Sequence, residues 1–206
     1  MAKEEKKLIQ VRGIARYPWL NKPDTKFKAE GQFKVDLEID AETAEPLISQ
    51  FEDIRAAEIA AAKVKLKGKK PKEADLPIVP KLDPETGEET GTYLLKAKMT
   101  ASGVSKKTGK PWSRVVPIFD AKGKPANPQI YGGSELILSI EPKGWANPKG
   151  ECSVTCYLEG VQVIKLSKGS GGASASALGF GAVEDGYAED EGEEGEAGEE
   201  GGYDFE

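Results

Sequence analysis

The sequence predicts a mainly β protein: a small closed or nearly closed antiparallel barrel with one long helix inserted. Three observations predict it. About six short segments alternate apolar and polar side chains, turns rich in Gly and Pro separate them, and one long segment has helical spacing instead. A β-sandwich is the alternative, because the pattern alone does not separate the two architectures.

The clearest strand is the segment "QFKVDLEID" at residues 32–40. Phe33, Val35, Leu37 and Ile39 alternate there with charged or polar residues, as in a strand with one buried face. Similar runs predict strands, in chain order, at residues 8–16, 93–100, 112–119, 135–141 and 153–166. The turn segments "ASGVSKKTGKPW", "FDAKGKPANPQIYGGS" and "EPKGWANPKGE" separate the later strands.

One helix is predicted over residues 41–66, "AETAEPLISQFEDIRAAEIAAAKVKL". It opens with acids and Pro46, spaces Leu47, Phe51 and Ile54 at helical intervals, and ends among lysines, as the helix dipole favours. We expect this helix to plug one end of the barrel.

The charge of the chain changes sign at Lys168. All 29 Lys and Arg residues lie in residues 1–168, together with 23 of the 35 acids. The net charge of residues 1–168 is therefore +6. Residues 169–206 carry the other 12 acids and no Lys or Arg. We therefore predict a folded domain at 1–168 and a disordered Gly/Ser-rich linker and acidic tail at 169–206.

The residue inventory argues against an enzyme. The chain has no His, which excludes a His-based triad and a thiol/imidazole metal site, and it has no phosphate-binding loop signature. Cys152 and Cys156 lie ~13 Å apart on one strand face, too far for a disulfide, and are expected to be buried thiols. We predict a non-catalytic protein without cofactor or metal.

No segment approaches the ~20 apolar residues of a membrane span, and "MAKEEKKLIQ" lacks the apolar core of a signal peptide. A cytoplasmic protein is expected.

Basic residues and aromatics recur together in the predicted loops. Cations suit phosphates and flat rings suit unpaired bases, so this pairing favours a single-stranded nucleic acid. The alternative is that the lysines are solubilising turns and that each Trp is a lid on the barrel. The candidate binding residues are Tyr17, Trp19, Lys22, Lys67, Lys69, Lys70, Lys106, Lys107, Lys110, Trp112, Arg114, Lys124, Tyr131, Lys143, Trp145 and Lys149.

The acidic tail ends in "GGYDFE", so two aromatic rings stand among acids. Acids can imitate phosphates, and Tyr203 and Phe205 can imitate bases, so a tethered tail would compete for a nucleic-acid groove. A displaced tail would be free for partner proteins with basic, apolar pockets. A solubility tail is the alternative. The candidate partner-binding residues are Glu199, Glu200, Tyr203, Asp204, Phe205 and Glu206.

An ordered set of segments resembles the replicative single-stranded DNA-binding proteins of short-tailed T-odd bacteriophages. The set is "YPWLNKPD", "FKVDLEI", the Ala-rich helix, "KGKKPK", "FDAKGKP", "IYGGSELILSIEP", "KGW" and the acidic tail. The resemblance implies an OB-fold barrel, a homodimer, and annealing of single strands in phage DNA replication and recombination within the host bacterial cytoplasm. It also implies that the tail contacts the phage DNA polymerase and primase-helicase.

The same resemblance implies DNA contacts at Lys67, Lys69 and Lys70 after the helix, and at Lys143 and Trp145 in the "EPKGW" segment. Two features depart from the family. Lys143-Gly144 stands where the family has Tyr before Lys-Trp, and Glu206 follows the terminal Phe205, on which the family's chains usually end.

Two other functions remain open. One is an acidic-tailed adaptor or chaperone that binds basic proteins through the tail. The other is an RNA-binding OB or cold-shock-like module, because stacking and lysines do not read the 2′-hydroxyl.

Overall fold

The computed structural model describes residues 7–65 and 70–167. Within these ranges the elements are β1 Ile9–Asp24, β2 Gln32–Asp40, α1 Ala41–Lys65, β3 Lys72–Glu73, β4 Ile78–Leu82, β5 Glu89–Thr100, β6 Ser102–Val104, β7 Pro111–Ser113, β8 Ile118–Phe119, β9 Glu135–Ala146 and β10 Glu151–Lys165. The helix and β2 occupy the positions predicted for them.

Five long strands close into a barrel. β1 pairs antiparallel with β2 and with β9, β2 pairs antiparallel with β5, and β9 pairs antiparallel with β10. A parallel contact between β5 and β10 closes the ring, with Ala97 opposite Cys156 and Lys98 opposite Tyr157. This arrangement is an OB-fold barrel, so the predicted barrel is confirmed and the sandwich alternative is wrong.

The alternation in β2 explains how the barrel fills. Phe33, Val35, Leu37 and Ile39 are buried in the shared core, while the residues between them face outward. β1 passes so close to β2 that a Cβ on Gly13 would lie 2.4 Å from the Glu38 backbone oxygen. Both cysteines are buried and free, as predicted.

α1 begins at a capped end and packs against the barrel. The Asp40 carboxylate accepts a hydrogen bond from the Thr43 backbone N–H at 2.7 Å, which satisfies one free donor of the first turn. Leu47 and Phe51 are buried in the same cluster as the strands. In the part of the chain that the structure describes, no helix is long and apolar enough to span a membrane.

Three local predictions are wrong. The loop predicted around Tyr17, Trp19 and Lys22 is strand, because β1 continues to Asp24. The strand predicted at 112–119 is two short strands, because β7 forms a hairpin with β6 while Pro117, which lacks an N–H, interrupts the run before β8. The turn predicted around Trp145 is strand: β9 continues to Ala146, and the chain turns only at 147–150. There the Asn147 side chain accepts hydrogen bonds from the Lys149 and Glu151 N–H groups.

Candidate nucleic-acid interface

A groove of ≈ 340 Å³ lies on the outer face of the barrel. Residues 75–77 and residues of four strands line this groove. The lining side chains from the strands include Lys34 and Asp36 of β2, Lys96 and Lys98 of β5, Trp145 of β9 and Thr155 of β10. Strand alternation explains this surface, since the neighbours of these polar residues fill the core. The groove therefore combines several cations with an aromatic ring.

One row of residues crosses four strands of the barrel. Trp19 lies opposite Lys34, Lys34 lies opposite Lys98, and Lys98 lies opposite Tyr157. A spacing of ~4.8 Å between strands puts the two aromatic positions about 14 Å apart. A ring, two cations and a second ring thus follow one another, as a polymer of bases and phosphates requires.

The two lysines at the centre of this row face each other across β2 and β5. Like charges directly opposite one another destabilise an antiparallel pair. The positive charge of Lys34 is balanced by Asp24, whose carboxylate lies 2.6 Å from the Lys34 Nζ. Lys98 makes no ion pair within 4 Å among residues 7–65 and 70–167. An anion lying over this pair would relieve the repulsion.

β9 and β10 add a second group of side chains beside the groove. The Lys143 Nζ lies 2.9 Å from a Glu141 carboxylate oxygen and 5.9 Å from the centroid of the Tyr157 ring. The hydrogen bond to Glu141 raises the pKa of Lys143, which therefore stays charged. Trp145 is half-buried and Tyr157 is exposed, so both rings offer apolar surface, and the Tyr157 ring does so next to a fixed cation.

A β-bulge in β1 presents two aromatic residues. Arg16 lies opposite Asp36 and Trp19 opposite Lys34, so β1 carries one extra residue between these pairs. Within the bulge Tyr17 has φ 47°, which is unfavourable for a residue with a side chain, and its side chain is 78% exposed. Lys22 follows on the same strand, where it lines a small pocket with Trp19.

The hairpin of β6 and β7 carries the largest group of predicted site residues. Its turn exposes Lys106, Lys107 and Lys110. The Trp112 ring packs on Gly103, where a Cβ would approach it to 2.8 Å, and the Arg114 guanidinium carbon lies 4.9 Å from the ring centroid. Trp112 and Arg114 are therefore already in contact with each other and with the hairpin backbone.

The remaining predicted residues do not line the groove. Lys124 lies in a turn held by the Asp120 carboxylate, Tyr131 is exposed in the loop before β9, and Lys149 lies in the turn between β9 and β10. Lys70 is exposed ahead of β3. The other predicted residues lie outside the described ranges: Lys67, Lys69, Glu199, Glu200, Tyr203, Asp204, Phe205 and Glu206.

Sequence reasoning missed four residues of this surface: Lys34, Lys96, Lys98 and Tyr157. All four stand at outward positions of strands, where polar residues are usually a solvated face. The sequence did contain one signal for them: the positions that the alternation places on the outer face hold three positively charged lysines and an aromatic Tyr. Their convergence depends on the pairing of β2, β5 and β10, which no local pattern states.

The surface has the chemistry of a polymer-binding site. In the described ranges no group of three or more His, Cys, Asp or Glu side chains could hold a metal ion. Cations and aromatic rings instead occupy the outer face of an OB-fold. These features define a class of barrel that binds single-stranded nucleic acids.

The chain belongs to the family of the single-stranded DNA-binding protein of bacteriophage T7, whose sequence profile matches residues 12–166. Its structure is similar to that of gp2.5, a single-stranded DNA-binding protein encoded by bacteriophage T7. The identity is 27% and the TM-score 0.68, over 89% of this chain and 99% of that chain. The family consists of binding proteins rather than enzymes, so the chain is non-catalytic.

Two more distant structures share the fold. The single-stranded DNA-binding protein from bacteriophage Enc34 is 21% identical with a TM-score of 0.51, over 85% of this chain and 95% of that chain. The Enc34 protein in complex with ssDNA is 19% identical with a TM-score of 0.52, over 82% and 97%. A comparison with curated proteins gives no match.

Proposed function

We propose that this chain binds single-stranded DNA on the outer face of its barrel. The row from Trp19 through Lys34 and Lys98 to Tyr157 carries the proposal, because it places two cations between two stacking surfaces. The lysines hold phosphates, and Trp145 stacks on a base within the groove. The hairpin lysines extend the cationic surface beyond the end of β5.

The test compares two double variants that each remove two positive charges. Lys96→Ala with Lys98→Ala changes the groove, whereas Lys7→Ala with Lys63→Ala changes two exposed lysines that do not line it. Fluorescence-anisotropy titration with a labelled oligonucleotide across a salt series measures each. The groove variant should lower the slope of log K against log salt by about 1.4, as for two lost contacts to a single strand. Equal slopes in the two variants would remove these lysines from the interface.

We further propose that the protein coats and anneals single strands in phage DNA replication and recombination, within the host bacterial cytoplasm, as a homodimer. Its membership of a phage DNA-binding family supports this role. A protein that coats strands must bind many sequences, and stacking on Trp145 or Trp19 does not select one base strongly.

We propose that the acidic tail competes for this groove and recruits replication proteins, namely the phage DNA polymerase and primase-helicase. The opposite charges of residues 1–168 and 169–206 support the competition, and the aromatic–acidic end supports recruitment. When DNA occupies the groove, the tail residues Tyr203 and Phe205 become available to partners.

Stopping the chain after Lys168 tests this competition. The shortened chain should bind an oligonucleotide more tightly than the full chain, because its groove has no tethered competitor. If neither form binds DNA at low salt, the adaptor function replaces the one proposed. Displacement of the bound DNA by an equal amount of RNA of matched sequence would favour the RNA-binding alternative.

A further inference from the structure

Asp36 places in the proposed DNA groove a carboxylate that has no partner among the described residues. It lines the groove beside Lys34 and Lys96, and it lies opposite Arg16 on β1 and Lys96 on β5. Among the described residues its carboxylate makes no ion pair within 4 Å and no hydrogen bond. A carboxylate repels the phosphates that the groove is proposed to bind, so its presence there needs another explanation.

Glu38, two residues further along the same strand, shows that this sheet can pair a carboxylate. Its oxygens lie 2.6 Å from the Arg16 Nε and 2.7 Å from the Lys81 Nζ. Burial raises the pKa of Glu38, but the hydrogen bonds from Lys81 and Arg16 outweigh it, so the pKa is lowered. For Asp36 burial prevails over the charges of Lys96 and Lys34, and its pKa is raised. Unlike Glu38, Asp36 receives no hydrogen bond from the residues that the structure describes, so its acceptor atoms are available to a ligand.

The bases of a single strand can supply the missing donor. Cytosine, adenine and guanine carry exocyclic amino groups, and Asp is a known acceptor for the cytosine N4 amino group. Thymine presents a carbonyl oxygen at the corresponding position, which a carboxylate repels, so only its ring N3–H can donate to Asp36. Trp145 lines the same groove, so a base stacked on its ring lies within the space that Asp36 faces.

We infer that Asp36 reads bases in the groove, accepting a hydrogen bond from the exocyclic amino group of a base stacked on Trp145 and disfavouring thymine there. This inference rests on the proposed function, since it requires DNA in the groove. The result is a modest preference for strands with amino-bearing bases. The lysines still allow strands of any sequence to bind, because they contact phosphates. Asp75, which also lines the groove, is an exposed acid that lies outside the strands.

The experiment measures the affinities of the full chain for oligo-dC and oligo-dT of equal length. The unaltered protein should bind oligo-dC about three- to tenfold more tightly. Asp36→Asn should reduce this ratio to about one or invert it, because an amide can also donate to the thymine O4. Glu38→Gln is the matched control, since it neutralises an outward carboxylate on the same strand that already has partners. Comparing ratios between variants cancels the difference in stacking between the two oligonucleotides.

The possible outcomes separate the inference from the proposed function. If Asp36→Asn tightens binding to both oligonucleotides by the same factor, Asp36 only repels phosphate and the inference is wrong. If the variant instead changes the ratio between oligo-rC and oligo-dC while the dC-to-dT ratio stays constant, the carboxylate reads the sugar. If no variant binds either strand, the proposed function itself fails.

Thermal unfolding confirms that the variants fold. Asp36→Asn removes a charge that burial disfavours, so its midpoint should not fall. Asp36→Ser serves as a second variant, which keeps a small polar side chain and should also lose the dC-to-dT ratio. A ratio that Asp36→Ser leaves unchanged, with normal unfolding, overturns the inference.

Discussion

Tyr157 and Lys143 show how single side chains build the interface. The Tyr157 side chain is 42% exposed at the end of the row, and the Lys143 ammonium lies 5.9 Å from the ring centroid. The ring is therefore fixed on one side by a cation and open on the other. Tyr157 thus supplies an aromatic ring beside Lys143, two residues before Trp145 on the neighbouring strand.

Replacing Tyr157 tests this stacking role. Tyr157→Ala should weaken binding to an oligonucleotide by about 1–3 kcal/mol, the range for one lost base–aromatic stack, as measured by anisotropy titration. Tyr157→Phe keeps the ring and should bind nearly as the unaltered protein does. Equal weakening by Phe and Ala would assign the effect to the hydroxyl instead.

Trp145 can be tested in the same way at the groove itself. Trp145→Ala should cost a similar ~1–3 kcal/mol of binding, because its ring lines the groove. Trp145→Phe should recover part of that loss. Unchanged affinity of the Ala variant, with an unaltered unfolding midpoint, would make Trp145 a lid on the barrel.

The two thiols should be chemically silent in the folded protein. Burial raises the pKa of Cys156 to about 12, against the opposing effect of the Lys98 charge, and burial also raises the pKa of Cys152. A raised pKa means that the thiol form persists at pH 8, and only the thiolate is a strong nucleophile. Mass spectrometry after iodoacetamide treatment at pH 8 should show no labelling until denaturant is added. Rapid labelling of the native chain would contradict this burial.

At the scale of elements, the bulge in β1 combines an exposed ring with backbone strain. Tyr17 adopts φ 47° while its side chain is 78% exposed, so the fold holds an unfavourable conformation without burying the ring. Such strain is often retained where a side chain must be aimed at a ligand. Bulges also turn the strand, which sets the direction of Trp19 two residues later.

The bulge predicts opposite effects on stability and binding. Tyr17→Gly should raise the free energy of unfolding by about 1 kcal/mol, because Gly adopts positive φ without strain, and should weaken DNA binding by loss of the ring. Tyr17→Ala loses the ring but keeps the strain, so it should weaken binding without the gain. Urea unfolding and anisotropy titration measure the two quantities. A Gly variant that is less stable than the Ala variant would argue against strain at this position.

The elements also show what the sequence could predict. β2 and α1 were predictable because their periods of two and 3.6 residues run without interruption. The run at 112–119 failed because a hairpin partner, β6, recruits its first residues while Pro117 breaks the rest. Lys96 and Lys98 could not be predicted as site residues, because charged residues on the outer face of a strand have the same sequence pattern whether the face contacts water or a ligand. Only the parallel contact between β5 and β10 brings Lys98 next to Tyr157.

The whole molecule joins a positive region at 1–168 to a negative one at 169–206. Attraction between such regions is screened by salt over a Debye length of ~10 Å at 0.1 M. If the tail competes with DNA electrostatically, the affinities of the tail and of DNA for the groove both fall as the salt concentration rises.

Salt should therefore erase the effect of the tail. The ratio of affinities between the chain stopped after Lys168 and the full chain should be largest at low salt and approach one as salt increases. A full-length chain with its tail Glu and Asp residues changed to Gln and Asn should behave like the shortened chain at every salt concentration. If the neutral tail still weakens binding at low salt, its length or its aromatic residues, rather than its charge, obstruct the groove.

The parallel contact that closes the barrel rests on only two residue pairs, Ala97 with Cys156 and Lys98 with Tyr157. The second of these pairs also belongs to the row proposed to hold DNA. A nucleic-acid strand lying across this pair would contact both β5 and β10, and so would hold together two segments that are almost 60 residues apart in the chain. The bound polymer would then reinforce the ring where its strands are joined by the fewest residue pairs.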